Sequence, residues 1–92
     1  MADFDVQHDP TVHKFFARVE GREGELKYRQ DGGRMEILST TVPAAIGGRG
    51  IAAQLVKTAL EFARSNGWRV KPTCSYAAAY IRQHPGYADM VD

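Results

Sequence analysis

The stretch Ile46-Gly47-Gly48-Arg49-Gly50-Ile51-Ala52 places three glycines within four positions, one arginine among them, directly before an apolar helical repeat. Glycine lets the main chain turn sharply and bring its N–H groups close to a ligand. The first turn of a helix leaves N–H groups unpaired and carries about half a positive charge. A strand-loop-helix junction of this kind suits phosphate, and Arg49 adds a charged donor. A plain strand-to-helix turn is the alternative, but short glycine turns do not need three glycines and an arginine. A P-loop would require Lys-Ser or Lys-Thr after the last glycine, and neither follows. Gly48-Arg49-Gly50-Ile51-Ala52-Ala53 approaches the dinucleotide fingerprint, yet no acidic residue lies between Glu61 and Asp89 to hold a ribose.

Cys74 is the one nucleophile of note, and it precedes a second helical run. A thiol at a helix N-terminus ionises more readily because its thiolate meets unpaired N–H groups. Such a thiolate could accept an acyl group and pass it on. The alternative is a small buried hydrophobe, the usual state of a free cysteine. Tyr76 and Tyr80 stand one turn apart on the same helix face, each a candidate acid or a packing aromatic. His84, before Pro85, reads as a helix-end cap. Glu36 could orient or activate an amine, but a solvated strand face explains it as well. His8 and His13 read as ordinary strand residues, and Trp68 as a packing residue at a strand start.

These groups need elements to hold them. Phe4, Val6 and His8 alternate until Asp9-Pro10. His13–Val19 forms a second run, with Phe15, Ala17 and Val19 on one face. Gly21-Arg22-Glu23-Gly24 reads as a turn, Leu26 and Tyr28 alternate with charges, and Asp31-Gly32-Gly33 reads as a hairpin turn. Met35–Val42 is a fourth run. From Gly50 the period lengthens: Ile51, Leu55, Ala59 and Phe62 recur on one helical face until Asn66-Gly67 stops the helix. Trp68–Thr73 is a short strand whose Pro72 marks a failure of pairing. Ser75 can cap a helix over Tyr76–His84. The order β-β-β-β-α-β-α predicts an α+β fold, an antiparallel meander followed by a helical crossover to one further strand.

The chain has 92 residues, so a single domain over residues 1–92 is expected. Its formal charge is +1, without the basic excess of a nucleic-acid binder. Residues 1–43 carry a net −2 and residues 44–92 a net +3, which inclines the second half toward a small anion. One cysteine allows no internal disulfide and no multi-cysteine metal site. No apolar run approaches the ~20 residues that span a bilayer. The acidic start Met1-Ala2-Asp3-Phe4-Asp5 lacks a signal-peptide layout, so a cytoplasmic protein is expected, with no metal, membrane or nucleic-acid partner.

From Thr40 to Val91 the chain resembles the acetyl-CoA-binding core of the GNAT superfamily of N-acetyltransferases, and most of all its minimal, YjdJ-type branch. The resemblance rests on Thr40-x-Val42-Pro43, Gly48-Arg49-Gly50-Ile51-Ala52, Leu55-Val56, Ala59-Leu60, Val70-x-Pro72-x-Cys74-Ser75-Tyr76 and Tyr80-Ile81-x-x-His84-Pro85-x-Tyr87-Ala88-Asp89-x-Val91. It implies a loop from Ile46 to Ala52 wrapped around the coenzyme A pyrophosphate. It also implies a strand ending at Val42 that splays from the strand of Val70, with the pantetheine arm in the gap, and a backbone N–H near Thr40–Val42 that polarises the thioester carbonyl. Thr40, Val42, Ile46, Gly47, Gly48, Arg49, Gly50, Ile51, Ala52, Cys74 and Tyr80 would then contact acetyl-CoA. Cys74 and Tyr76 would carry the transfer of acetyl to an unidentified amine. Departures from the pattern are Ala45, Ser39, Thr41 and Gly86, which leave the expectation of cofactor binding intact but weaken that of a base at Ser39 or Thr41. Those losses keep a second expectation alive, a non-catalytic acyl-CoA-binding or protein-interaction module.

Overall fold

The computed structural model describes residues 4–92; the first residues of the acidic start, Met1-Ala2-Asp3, lie outside them. Five strands form one sheet in chain order: β1 (Gln7–Asp9), β2 (Lys14–Val19), β3 (Arg22–Asp31), β4 (Arg34–Thr41) and β5 (Arg69–Pro72). Helix α1 (Ile51–Ser65) joins β4 to β5, and α2 (Ser75–Gln83) follows β5. Short 3-10 turns cover Ala44–Ile46 and Pro85–Met90. The first four strands are antiparallel, as short turns dictate, and β4 and β5 are parallel, as a helical crossover dictates.

Both helices join one apolar core. Phe15, Ala17, Leu26, Tyr28, Met35 and Ile37 project from one sheet face onto Leu55, Val56, Ala59 and Leu60 of α1 and Ala77 and Ile81 of α2. The alternate positions of β2 and β3 (Lys14, Arg18, Glu25, Lys27) carry the charges of the opposite face, linked by ion pairs such as Lys14–Glu23 at 2.9 Å. Such solvent-screened surface pairs contribute little, so the buried face carries the stability.

Several boundaries differ from expectation. The β2–β3 turn lies at Glu20-Gly21, both with positive φ, and Glu23 and Gly24 already belong to β3. Two successive left-handed residues match the strand twist and close the hairpin two residues earlier than the glycines suggest. Phe4 and Val6 pack on the core, but only Gln7–Asp9 pairs as β1. Cys74, not Ser75, is the N-cap residue of α2. Trp68 packs edge-on against Phe62 at 5.5 Å, ahead of β5. His8 stacks on Phe15 at 4.1 Å and meets the Tyr28 hydroxyl at 2.6 Å, which ties β1 into the sheet.

Candidate active site

The site begins where β4 loses its neighbour. Tyr28 pairs with Ile37 but Lys27 pairs with Ser39, so Leu38 is an extra residue, a bulge in β4. On the other edge, β4 and β5 pair only from Arg34↔Arg69 to Ile37↔Pro72. Pro72 has no N–H to continue the ladder, and the Cys74 N–H closes it with a 2.9 Å bond to the Ile37 carbonyl. Beyond that bond the chain turns into α2. Leu38, Ser39, Thr40 and Thr41 therefore run on without a β5 partner, and the expected splay is present.

Past β4 the chain crosses Pro43, makes the 3-10 turn and enters the glycines. Gly48 and Gly50 have φ of +79° and +76°, a conformation that side chains with Cβ rarely adopt. Neither has an atom within 4 Å of an added Cβ, so both border open space. Gly50 is the N-cap of α1, no side chain caps that end, and no acid stands in the first turn. Its first N–H groups are thus left for another acceptor. They border a cleft of about 300 Å³ lined by Val42, Ile46, Gly47, Gly48, Gly50, Ile51, Ala52, Ala53 and Tyr76. Main-chain donors over a largely apolar wall suit a diphosphate joined to an uncharged arm. The residues present therefore fit coenzyme A.

Cys74 lies in the splay. Its Sγ is 3.5 Å from Thr40 Oγ1 on the unpartnered part of β4. Burial opposes ionisation of the thiol, but the Ala77 N–H, the Thr40 hydroxyl and the N–H groups of Tyr76 and Thr40 outweigh it and lower the thiol below its ordinary range. None of these N–H groups closes a capping hydrogen bond of standard geometry, so the sulfur stands beside the helix end rather than locked onto it. Tyr76, the second residue of α2, is 42% exposed and forms the outer lip of the cleft.

The expected site residues thus divide. Thr40 and Cys74 meet at the N-terminus of α2 without lining the cleft, whereas Val42, Ile46, Gly47, Gly48, Gly50, Ile51, Ala52 and Tyr76 line it. Arg49 does not line it: its guanidinium turns outward to Glu20, 2.9 Å away. Tyr80 does not line it either, because it is buried behind Tyr76 and stacks on His84 at 3.9 Å. His84 serves the helix end, with Nδ1 2.8 Å from the Tyr80 carbonyl oxygen. Glu36 accepts from Thr73 Oγ1 at 2.5 Å and lies beside Arg29. The hydroxyl, aided by Lys71, Arg29 and Arg34, holds its carboxyl below the usual range, a poor setting for a base. Ala53 and Glu20 are not among the site residues that the sequence suggests, although Ala53 ends the Gly-Arg-Gly-Ile-Ala-Ala run. Ala53 follows the cleft residues by one position, whereas nothing local marks Glu20.

A sheet that splits at its fourth and fifth strands, with a glycine loop opening a helix beside the split, is the frame of a GCN5-like N-acetyltransferase fold. The chain belongs to the GCN5-related N-acetyltransferase family, whose model matches residues 14–90. It is 35% identical over 83 residues to the protein NATD1 of Gallus gallus, covering 87% of this chain and 76% of that protein. NATD1 of Homo sapiens matches at the same identity, with 74% of its length covered. A solution structure from Staphylococcus aureus described as GCN5-like superposes with a TM-score of 0.75 at 26% identity, covering all of this chain and 91% of that one. Among the described residues no helix is long and apolar enough to cross a membrane.

Proposed function

We propose that this chain, folded as one domain, is an acetyl-CoA-dependent N-acetyltransferase that moves acetyl to an amine by way of Cys74. One observation carries the reading: the uncapped, glycine-bordered start of α1 and the Cys74–Thr40 pair open beside the same β4 segment. Main-chain N–H groups from Gly48 to Ala52 would hold the coenzyme diphosphate, since those of Ile46 and Gly47 already bond to the Pro43 and Ala44 carbonyls at 3.1 Å, and Val42, Ile46 and Tyr76 would flank the arm beyond it. The coenzyme supplies an acetyl group activated as a thioester. Thr40 holds the Cys74 thiolate by its hydroxyl and directs its own N–H into the same space, where a carbonyl oxygen gains negative charge during transfer. The Cys74 sulfur bonds to the acetyl carbon as the donor carbon–sulfur bond breaks. An incoming amine then takes the acetyl carbon, the bond to Cys74 breaks to restore the thiolate, and the one proton lost by the amine replaces the proton that Tyr76 gives up. Tyr76, at the lip, is placed to give a proton to the departing donor sulfur.

Two measurements test this. Melting with acetyl-CoA, coenzyme A, NAD and ATP side by side should show stabilisation by the first two only. A ligand at ~100 times its dissociation constant adds about 2.7 kcal/mol, which in a domain this small raises Tm by roughly 10 °C or more. Intact mass after incubation with acetyl-CoA should show one acetyl on Cys74, removed on adding an amine. Binding without transfer to any amine would instead establish an acyl-CoA-binding module. Stabilisation by NAD or ATP alone would reject the reading.

A further inference from the structure

Arg49 stands inside the glycine loop and yet faces away from the cleft. Its Nη2 donates to Glu20 Oε2 at 2.9 Å, and the partner is at the tip of the β2–β3 hairpin, 29 residues away in sequence. Glu20 has φ +53°, ahead of Gly21 at +77°. Left-handed backbone is uncommon in residues other than glycine, asparagine and aspartate, and hairpin turns of this type favour Asn-Gly. The hairpin thus keeps a disfavoured residue at its tip, and the side chain of that residue reaches the loop arginine.

The ion pair is not what docks the hairpin on the loop. Gly24, in the same hairpin, passes beneath the start of α1 so closely that an added Cβ would lie 3.0 Å from Ile51 Cγ2 and 3.3 Å from Val42 Cγ2. Ile51 is 2% exposed there. Packing already fixes the two pieces, so the distinct effect of Glu20 is to occupy the guanidinium. Both side chains are partly in water, 34% exposed for Arg49 and 61% for Glu20, so the pair is weak and readily exchanged. A diphosphate offers more anionic oxygens than one carboxylate and suits the guanidinium fork.

We propose that Glu20 is a built-in stand-in for phosphate. It holds Arg49 outside the cleft until a coenzyme diphosphate arrives, then gives the arginine up, and so sets the affinity for the coenzyme. The inference rests on the loop being the diphosphate site. Glu20 is a positioning residue here, acting only through Arg49.

Calorimetric titration of the folded chain with coenzyme A tests it. Glu20→Gln should tighten binding by about threefold, the scale of one exposed ion pair. Glu20→Gly, which the left-handed backbone accepts, should do the same. Arg49→Ala should weaken binding, and adding Glu20→Gln to that variant should change nothing further. S-acetylpantetheine, which lacks the diphosphate, should bind all variants alike. Weaker binding by Glu20→Gln would show that the pair anchors the loop and would overturn the proposal. Equal tightening with and without Arg49 would show simple charge repulsion and overturn it as well. If the unaltered chain binds coenzyme A and Glu20→Gln leaves affinity unchanged, the role of Glu20 alone falls. If the unaltered chain does not bind coenzyme A at all, the diphosphate site falls and takes the proposal with it.

Discussion

The sulfur of Cys74 lies 3.5 Å from the hydroxyl of Thr40, across the opening where β5 leaves β4. The two are 34 residues apart in sequence, and the bulge at Leu38 and the stop at Pro72 bring them together. Without the bulge, the side chains of β4 beyond Ile37 would alternate in the opposite sense, and Thr40 would face the charged side of the sheet. The pairing of these residues is therefore a product of two local failures of regular β-structure.

That relationship predicts how the thiol titrates. Alkylation of Cys74 by iodoacetamide, followed against pH, should show a midpoint below that of an ordinary cysteine. Thr40→Val keeps the shape and removes the hydroxyl. It should raise the midpoint and slow alkylation at pH 7 by about tenfold or more, the effect of one hydrogen bond to an ionised group. The linkage sign follows from the direction of the shift. The folded thiol ionises more readily than the unfolded one, so its stabilisation is present above about pH 8.5 and is lost as pH falls through the folded value. Cys74→Ala should abolish that alkaline gain in Tm. An unchanged midpoint in Thr40→Val would remove Thr40 from the site.

Substitutions at Tyr76 test its two proposed roles, contact and proton transfer, separately. Tyr76 is 42% exposed and lies at the lip of the cleft, so replacing it should leave the unfolding free energy within about 0.5 kcal/mol of the parent, as surface changes do. Tyr76→Ala should weaken acetyl-CoA binding, because the wall of the cleft is lost. Tyr76→Phe keeps the wall and removes the proton. It should keep binding and lower the rate constant for transfer by about 100-fold, the lower range for general acid catalysis. Equal turnover in Tyr76→Phe would confine the residue to contact with the arm.

Much of this arrangement is legible in the sequence because it is local. Glycines 47, 48 and 50 announce a loop, the repeat from Ile51 announces the helix it opens, and Pro72 announces the break in pairing. What is not legible depends on partners far along the chain. The bulge at Leu38 sits in an unbroken Ile-Leu-Ser-Thr run with no glycine to mark it, and only the register against β3 shows it. Arg49 reads as a phosphate ligand because nothing near it in sequence competes, whereas its partner Glu20 comes from a hairpin tip. Glu20-Gly21 is not the usual pair for a left-handed turn, so Gly24 draws the turn too late. Ser75 is the better capping type, but Cys74 holds the cap position because its N–H is committed to Ile37.

Tyr87 and Glu61 predict an alkaline transition. The Tyr87 hydroxyl donates to Glu61 Oε2 at 2.6 Å, which pushes its pKa up to about 12. A tyrosine whose folded pKa is raised stabilises the fold below its unfolded value, about 10, and loses that contribution as pH climbs through the folded value. The contact is near the surface, so screening reduces the effect to about 1 kcal/mol. Tyr87→Phe should lower Tm at pH 7 by roughly 4–8 °C and flatten the loss of stability between pH 10 and 12. A parent chain with no such loss would show that the contact to Glu61 contributes nothing.

Gly24→Ala should damage the cleft from beneath. The added methyl would stand 3.0 Å from Ile51 Cγ2 and 3.3 Å from Val42 Cγ2, closer than carbon atoms normally approach. Ile51 cannot retreat, since it is the first residue of α1 and faces the core, while Val42 is only half-buried. Relief must come from Val42 or from the helix start itself, and both line the cleft. Overpacking of this kind costs about 1–3 kcal/mol, so Tm should fall, and acetyl-CoA affinity should fall with it. Glycine at position 33 supplies the control, because an added Cβ there meets nothing within 4 Å. Gly33→Ala should leave affinity unchanged. A Gly24→Ala chain that melts lower but binds acetyl-CoA as tightly as the parent would show that the start of α1 does not set the shape of the cradle.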